Sequence, residues 1–392
     1  MERLCLNTFK MKSKSILYFC SSCPYLVDDG IKNININLIN EFIANGYELS
    51  LVVPHSCDLI LDFYPDVEVI KYRKKRTIPG IIANFFLLRP LYFGLYYDKT
   101  LLDKINKESF NLIFYDFYPL TQYSDNLKNE IFMMPDSMKE LMWSGFINEK
   151  NFLRKVYSFV NYFLAFIYNK RIEKIKKLYV SKEDIRKDNL LNSFFFKIPA
   201  NLNTVSKYFS IKSNEKEILF RGGMEFEPNM TAVDDFYHEI FLDLINDYPD
   251  INLKIVGRLP NEIFQQKICK NTVYTGFVDD VNQVMSESAL HIVPMTSGTG
   301  VKTKLLDSIA LKRLVFCTPM SINGVFESVD EARESGIIVY ANTKEFRYYY
   351  EMYLSKKLNY TDMTNKAYDY IKRNSYSLKI EELIEISKQE IQ

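Results

Sequence analysis

From Pro294 to Asp307 the sequence reads Pro-Met-Thr-Ser-Gly-Thr-Gly-Val-Lys-Thr-Lys-Leu-Leu-Asp. These residue types at this spacing suit a polyanion. The stretch follows an apolar run and precedes apolar positions at helical spacing, so a helix should open near Val301. Backbone N–H groups at a helix start have no partner within the helix, and together with the helix dipole they attract phosphate oxygens. Gly298 and Gly300 allow close backbone approach, with Ser297, Thr299 and Val301 completing the loop. Lys302 and Lys304 can neutralise diphosphate charge. Lysines in a first turn oppose the dipole, which favours an anionic ligand over a merely solvated cap. The loop is not a Walker A motif, because the G-x-x-x-x-G-K-[ST] spacing is absent.

Two further groups of cations end apolar runs. Arg221-Gly222-Gly223 follows Ile218–Phe220, and Gly257-Arg258 follows Leu253–Val256. Guanidinium groups there could clamp a diphosphate bidentately. Asp28-Asp29-Gly30 forms the first turn of the chain's first half, where Gly30 could let a phosphate or an acceptor approach. Asp116 and Asp136 each follow an apolar run, ending at Phe114 and Met134 respectively. A carboxylate in either place could orient or deprotonate a hydroxyl. The three histidines, His55, His238 and His291, form neither a metal set nor a Ser-His-Asp arrangement, and His291 belongs to an apolar run that reads as core.

The elements that would position these residues alternate strand and helix. Ser15–Cys20, Leu49–Val53, Val67–Ile70, Leu112–Phe114, Ile131–Met134, Leu178–Val180 and Phe196–Ile198 read as buried strands. Helices are expected over Lys99–Lys107 and Asn151–Lys177, among others. A second series of strands follows: Glu217–Phe220, Leu253–Val256, Val273–Thr275, Leu290–Pro294, Leu314–Cys317 and Ile337–Val339. A helix over Asn229–Asp247 lies within this series, another over Val301–Leu311, and helical sequence runs from Phe346 to the end. Strand–helix–strand units of this kind build parallel sheets, and Gly-ended strands point at the edge where open α/β sheets bind ligands. The expected division is residues 1–205, with a helix over 376–392 packing back on them, and residues 206–375. The polar stretch Ser206–Lys216 serves as linker.

Composition narrows the function classes. The 392 residues are 47% apolar and 25% charged with a net charge of +1, which fits a globular chain and gives no global field for nucleic acid. Six cysteines include Cys20-Ser21-Ser22-Cys23, but no second such pair completes a metal set. No disulfide framework is expected, so a reducing, cytoplasmic setting fits. The longest apolar stretches, Ile81–Tyr97 and Val156–Tyr168, are interrupted or short of a spanning helix. The basic, aromatic segments Lys71–Tyr97 and Arg154–Lys177 could instead rest on the inner face of a membrane.

The second half resembles the donor domain of family-four (group 1) glycosyltransferases. The resemblance is carried by Ile218-Leu219-Phe220-Arg221-Gly222-Gly223-Met224, Pro228-Asn229, Leu253–Gly257, Gly276-Phe277-Val278, and Gly298 through Asp307, and it spans Glu217 to Pro319. It implies a GT-B fold, two doubly wound, Rossmann-like parallel-sheet domains facing a cleft. It also implies transfer of a sugar from a nucleotide-diphospho sugar to a saccharide or lipid-linked acceptor in surface polysaccharide or glycoconjugate assembly. Retention of anomeric configuration without a metal ion or other cofactor is part of the same implication, with a uridine nucleotide as one candidate donor. By resemblance the loop at Thr299–Lys302 holds the diphosphate, Asp307 the ribose, and Phe277 belongs to the donor site. Arg221 and Lys302 then stabilise the leaving diphosphate, while Asp116 stands where many members carry a His. Gly30, Gly222, Gly223 and Arg258 complete the donor side, and Asp136 the acceptor side. The family's motif has two glutamates eight positions apart, and this chain has Thr299 and Asp307 there. A non-catalytic partner of another glycosyltransferase and a nucleotide-sugar epimerase of the same shape are the alternatives.

Overall fold

The computed structural model describes residues 14–25, 30–75, 77–101, 105–134, 137–202, 205–258, 269–297 and 301–390. They form two compact units. One comprises Met1–Phe196 together with Ser377–Gln392, the other Lys197–Tyr376.

The first unit is built on seven parallel strands: β1 (Ser15–Phe19), β2 (Glu48–Pro54), β3 (Glu68–Tyr72), β4 (Leu112–Tyr115), β5 (Glu130–Met134), β6 (Lys176–Tyr179) and β7 (Ser193–Phe195). They lie in the order 3-2-1-4-5-6-7. β1, β4 and β5 are buried along their whole length, as a parallel sheet covered on both faces requires. Helix α1 (Gly30–Ala44) follows β1 and seats Ile34, Leu38, Ile39 and Phe42 in the core at helical spacing. The other helices used below are α2 (Ile78–Phe86), α3 (Met138–Asn148) and α4 (Phe152–Arg171), each opened by a side-chain cap from Thr77, Ser137 and Asn151 respectively.

The second unit has six parallel strands: β8 (Asn214–Arg221), β9 (Asn252–Val256), β10 (Thr272–Gly276), β11 (Ser288–Val293), β12 (Leu314–Cys317) and β13 (Ile338–Val339). Their order is 10-9-8-11-12-13, the doubly wound pattern in which the strand order reverses between β8 and β11. Ligands of open α/β sheets bind at the carboxyl ends of strands flanking such a reversal. α5 (Glu227–Phe236) follows β8 and α6 (Thr303–Ala310) follows β11, so both open at that edge. The last helix, α7 (Tyr376–Lys388), buries Ile380, Leu383 and Ile386 and clusters with the first unit.

Several elements differ from the sequence expectation. α4 stops at Arg171 where periodicity carries it to Lys177, because Lys176 and Lys177 are buried inside β6. Their charges are met by carbonyls. Lys177 Nζ donates to Ile175, Glu173 and Leu191 at 2.7, 3.0 and 3.0 Å, and Lys176 Nζ to Lys128 and Ser387 at 2.6 and 2.8 Å. Burial still pushes Lys177 down to about 7. The last strand of the first sheet is Ser193–Phe195 rather than Phe196–Ile198. β8 begins at Asn214, inside the expected linker. The described part of Lys99–Lys107 is not α-helical. Cys23 and Cys57 form a disulfide with Cα atoms 5.2 Å apart, contrary to the expectation of none. They lie just beyond β1 and β2, which pair in register, so adjacency in the sheet brings together residues 34 apart in sequence.

Candidate functional site

At the β8/β11 edge the structure gathers Arg221, Lys302, Lys304 and Asp307. Arg221 is the last residue of β8, and Asp307 lies on α6. Arg221 Nη1 donates to Asp307 Oδ2, joining the strand end to the helix. Lys302 immediately precedes α6 and is buried. Lys304 lies one turn before Ser308, its ammonium 4.7 Å from the centroid of the Phe220 ring and bonded to Asn229 Oδ1. Burial, and secondarily repulsion from Arg221 and Lys302, lowers Lys304 to about 7. Burial raises Asp307 above the ordinary carboxylate value, against the opposing pull of Arg221. Lys304 thus lies in the field of Arg221 and Lys302, while Asp307 is paired with Arg221.

The neighbouring strand ends are stitched into one rim. Gly222 N–H donates to Val256 at 2.9 Å, Gly257 N–H to Gly276 at 3.2 Å, and Met224 N–H to Arg258 at 2.9 Å. Gly257 has φ +145°, and a Cβ on it would stand 2.1 Å from the Gly222 carbonyl oxygen. Glycine is therefore required for β8 and β9 to end side by side. Asn229 Nδ2 donates to the Gly223 carbonyl at 2.9 Å while its Oδ1 accepts from Lys304. This one amide, on the first turn of α5, links the glycine loop to the cation cluster. Arg258 stacks over the exposed Phe277 ring with its guanidinium carbon 5.9 Å from the centroid.

α6 is fixed from beneath by His291, fully buried on β11. Its Nε2 lies 2.9 Å from the Met285 carbonyl and its Nδ1 2.8 Å from Ser308 Oγ. Burial drives it down to about 3, so it is a neutral prop, as expected of a core histidine.

Of the other sequence candidates, Ser297 and Val301 flank the loop between β11 and α6, while Gly298, Thr299 and Gly300 lie outside the described residues. Asp136 lies outside them too. In the first unit Gly30 is the first residue of α1. Asp116, buried just beyond β4, accepts from the Ser21 N–H on both carboxylate oxygens at 2.8 and 3.0 Å and from Asn35 Nδ2 at 3.2 Å. Lys74 donates to the Ser21 carbonyl at 2.6 Å, and Tyr72 Oη to that of Cys20 at 3.0 Å. These are the bonds of a group that anchors the loop after β1. Asn229 was missed as a linking residue. In sequence it marks only a helix start, and its two partners lie 6 and 75 positions away.

Among the described residues no group of three or more His, Cys, Asp or Glu could hold a metal ion, and no helix is long and apolar enough to cross a membrane.

Residues 215–350 match the family model of glycosyl transferases group 1. An uncharacterised 44.6 kDa protein in the cps region of Klebsiella pneumoniae is 24% identical over 389 residues, spanning 93% of this chain and 97% of that protein. A glycosyltransferase from Rickettsia africae superposes with a TM-score of 0.61 at 15% identity, over 97% of this chain and all of that one. Anabaena HepE, solved with UDP and glucose, superposes with a TM-score of 0.62 at 11% identity, over 95% of this chain and 99% of that one. The group 1 match lies within the unit that carries the cation cluster, and the whole chain has the GT-B fold of these solved glycosyltransferases.

Proposed function

We propose that the chain transfers a sugar from a nucleotide-diphospho sugar to a saccharide or lipid-linked acceptor during surface polysaccharide assembly. The observation that supports this most is the gathering of Arg221, Lys302 and Lys304, with Asp307 paired to Arg221, at the strand-order reversal. As the bond between the sugar C1 and the diphosphate oxygen breaks, negative charge grows on the leaving diphosphate. Cations already in place there stabilise it without reorganisation. The opening of α6 adds backbone donors to the same group.

Asp307 is assigned to the ribose, sharing its carboxylate between Arg221 and a ribose hydroxyl. Phe277 and Arg258 form a second, aromatic and cationic face on the donor side. Asp116 supports the acceptor side by holding the loop after β1. No metal is required when three side-chain cations offset the diphosphate, and retention of configuration is the expected stereochemistry. HepE, similar in fold, is solved with UDP, which favours a uridine nucleotide; the cps-region relative favours a polysaccharide product.

The test is calorimetric titration with a panel of nucleotide sugars, followed by the same titration of Lys302→Ala. Loss of a charged contact to phosphate should weaken the donor roughly 10- to 100-fold with an unchanged circular dichroism spectrum. An unchanged donor affinity would remove the phosphate assignment.

A further inference from the structure

We infer that the α2–α3–α4 face of the first unit docks on an anionic phospholipid bilayer. α4 has two apolar faces. One is turned inward and carries Asn161, Leu164, Ala165 and Tyr168, all buried. The other carries Phe152, Val156, Phe159, Phe163 and Phe166, spaced i, i+4, i+7, i+11 and i+14, so they fall on one stripe. These five are exposed, Phe152 by 75% and Phe163 by 58%, and Leu153 beside them by 76%. The stripe lies opposite the face that α4 buries, and of its five side chains Phe159 also meets α3.

Its neighbours extend the same surface. α3 packs on α4 through Trp143 against Tyr162 and Phe146 against Phe159, at 5.1 and 5.2 Å between ring centroids, and leaves Leu141 and Ile147 exposed. α2 is tied to α4 by Arg171 Nη1 donating to the Leu87 carbonyl, and the turn after it by Leu91 N–H donating to Asn161 Oδ1 at 2.7 Å. Ile78 and Phe86 on α2 are 74% and 78% exposed. A soluble monomer rarely shows a contiguous apolar patch beyond a few hundred Å² without a partner for it.

Charge identifies the partner. Residues 138–171 carry six basic side chains, Lys139, Lys150, Arg154, Lys155, Lys170 and Arg171, against two acidic ones, Glu140 and Glu149; of the six, Lys139 turns to Asp188 and the Lys187 carbonyl. Neither α2 nor α4 contains an acid. Lys155 and Lys170 stand over the Phe146 and Phe166 rings at 5.3 and 5.5 Å, cations at the edge of an aromatic surface. An apolar stripe rimmed by cations fits acyl chains beneath anionic headgroups. A two-fold contact with a second copy would instead place two sets of these cations in one interface. No helix among the described residues can cross the bilayer, so α4, roughly 30 Å long, lies along it.

The inference does not depend on the donor site, and its test reads only binding. The full chain is sedimented with sucrose-loaded vesicles of phosphatidylcholine alone and of phosphatidylcholine with 30% phosphatidylglycerol, an arbitrary but roughly physiological anionic fraction. It should pellet with the anionic vesicles and be released by high salt. Phe152→Ser and Phe163→Ser should each weaken binding about tenfold, and Arg154→Gln about fivefold. All three residues are solvent-exposed, and an unchanged thermal transition checks their folding. Absence of binding to anionic vesicles, or equal binding by wild type and all three variants, overturns the inference. So does a concentration-dependent dimer, seen by sedimentation velocity, that the Phe variants abolish while vesicle binding is absent.

Discussion

If Lys304 lies at about 7 in the ligand-free protein because burial, Arg221 and Lys302 all disfavour its charge, a diphosphate bound among these cations must return a proton to it. At pH 8 a group of pKa 7 is about 90% deprotonated, so binding should take up roughly 0.9 proton; at pH 6 the figure falls to roughly 0.1. A nucleotide sugar suits the experiment because its phosphates do not titrate in this range. The assay is calorimetry of the donor at each pH in two buffers of different ionisation enthalpy, whose difference in heat gives the protons exchanged. Donor affinity should fall about tenfold per pH unit above 7 until the bound-state pKa is passed. Lys304→Met should abolish the uptake and cost roughly 10- to 100-fold in affinity. In the absence of donor the sign reverses. The folded pKa is below the unfolded value, so the unfolded chain holds more protons between about 7 and 10.5, and Lys304 makes stability rise with pH across that window. Donor binding that is intact at pH 8 with no proton uptake would refute the placement of the diphosphate against Lys304.

Three further outcomes follow from the geometry. Asp307→Asn should weaken a nucleotide sugar by about tenfold and inorganic pyrophosphate much less, since Arg221 is released from its carboxylate partner; equal losses in calorimetry would remove the ribose role. Gly257→Ala places a Cβ against the Gly222 carbonyl at a positive φ, so it should cost about 3 kcal/mol in urea unfolding and displace the Arg221 loop; a neutral substitution would contradict the stitched rim. Cys57→Ser removes a crosslink between positions 34 apart and should cost up to about 4 kcal/mol of stability under oxidising conditions, with no effect when the wild type is reduced; non-reducing peptide mapping checks the pairing directly.

Much of the fold was legible because its strands are apolar runs punctuated by glycine or proline. Gly222, Gly257 and Gly276 end three adjacent strands, and their sequence contexts announce both the strand and the edge. The β6 strand was illegible for the converse reason. Lys176 and Lys177 look like a solvated helix end, and carbonyls from the preceding turn, from Lys128 and Leu191, and from α7 let them be buried. The Cys23–Cys57 pairing depends on two strands lying side by side, which spacing alone cannot reveal. In the site, residue types alone suggest phosphate chemistry for the glycine loop and Lys302, a reading the donor titration tests. The pairing of Arg221 with Asp307, 86 positions apart, and the enclosure of Lys304 by Phe220 and Asn229 arise only when β8 and β11 become neighbours. Asp116, whose position after β4 suggests orienting or deprotonating a hydroxyl, also holds the Ser21 N–H on both oxygens, a contact 95 positions away that its sequence context does not announce.

The most direct test of the account is a crystal structure of the chain with its nucleotide-diphospho donor, the donor first identified by thermal shift. The diphosphate should lie within hydrogen-bonding distance of Lys302 and Lys304 at the start of α6, with Arg221 alongside and the ribose against Asp307. A diphosphate bound elsewhere, leaving Lys304 on Asn229 with no anion beside it, would contradict the account.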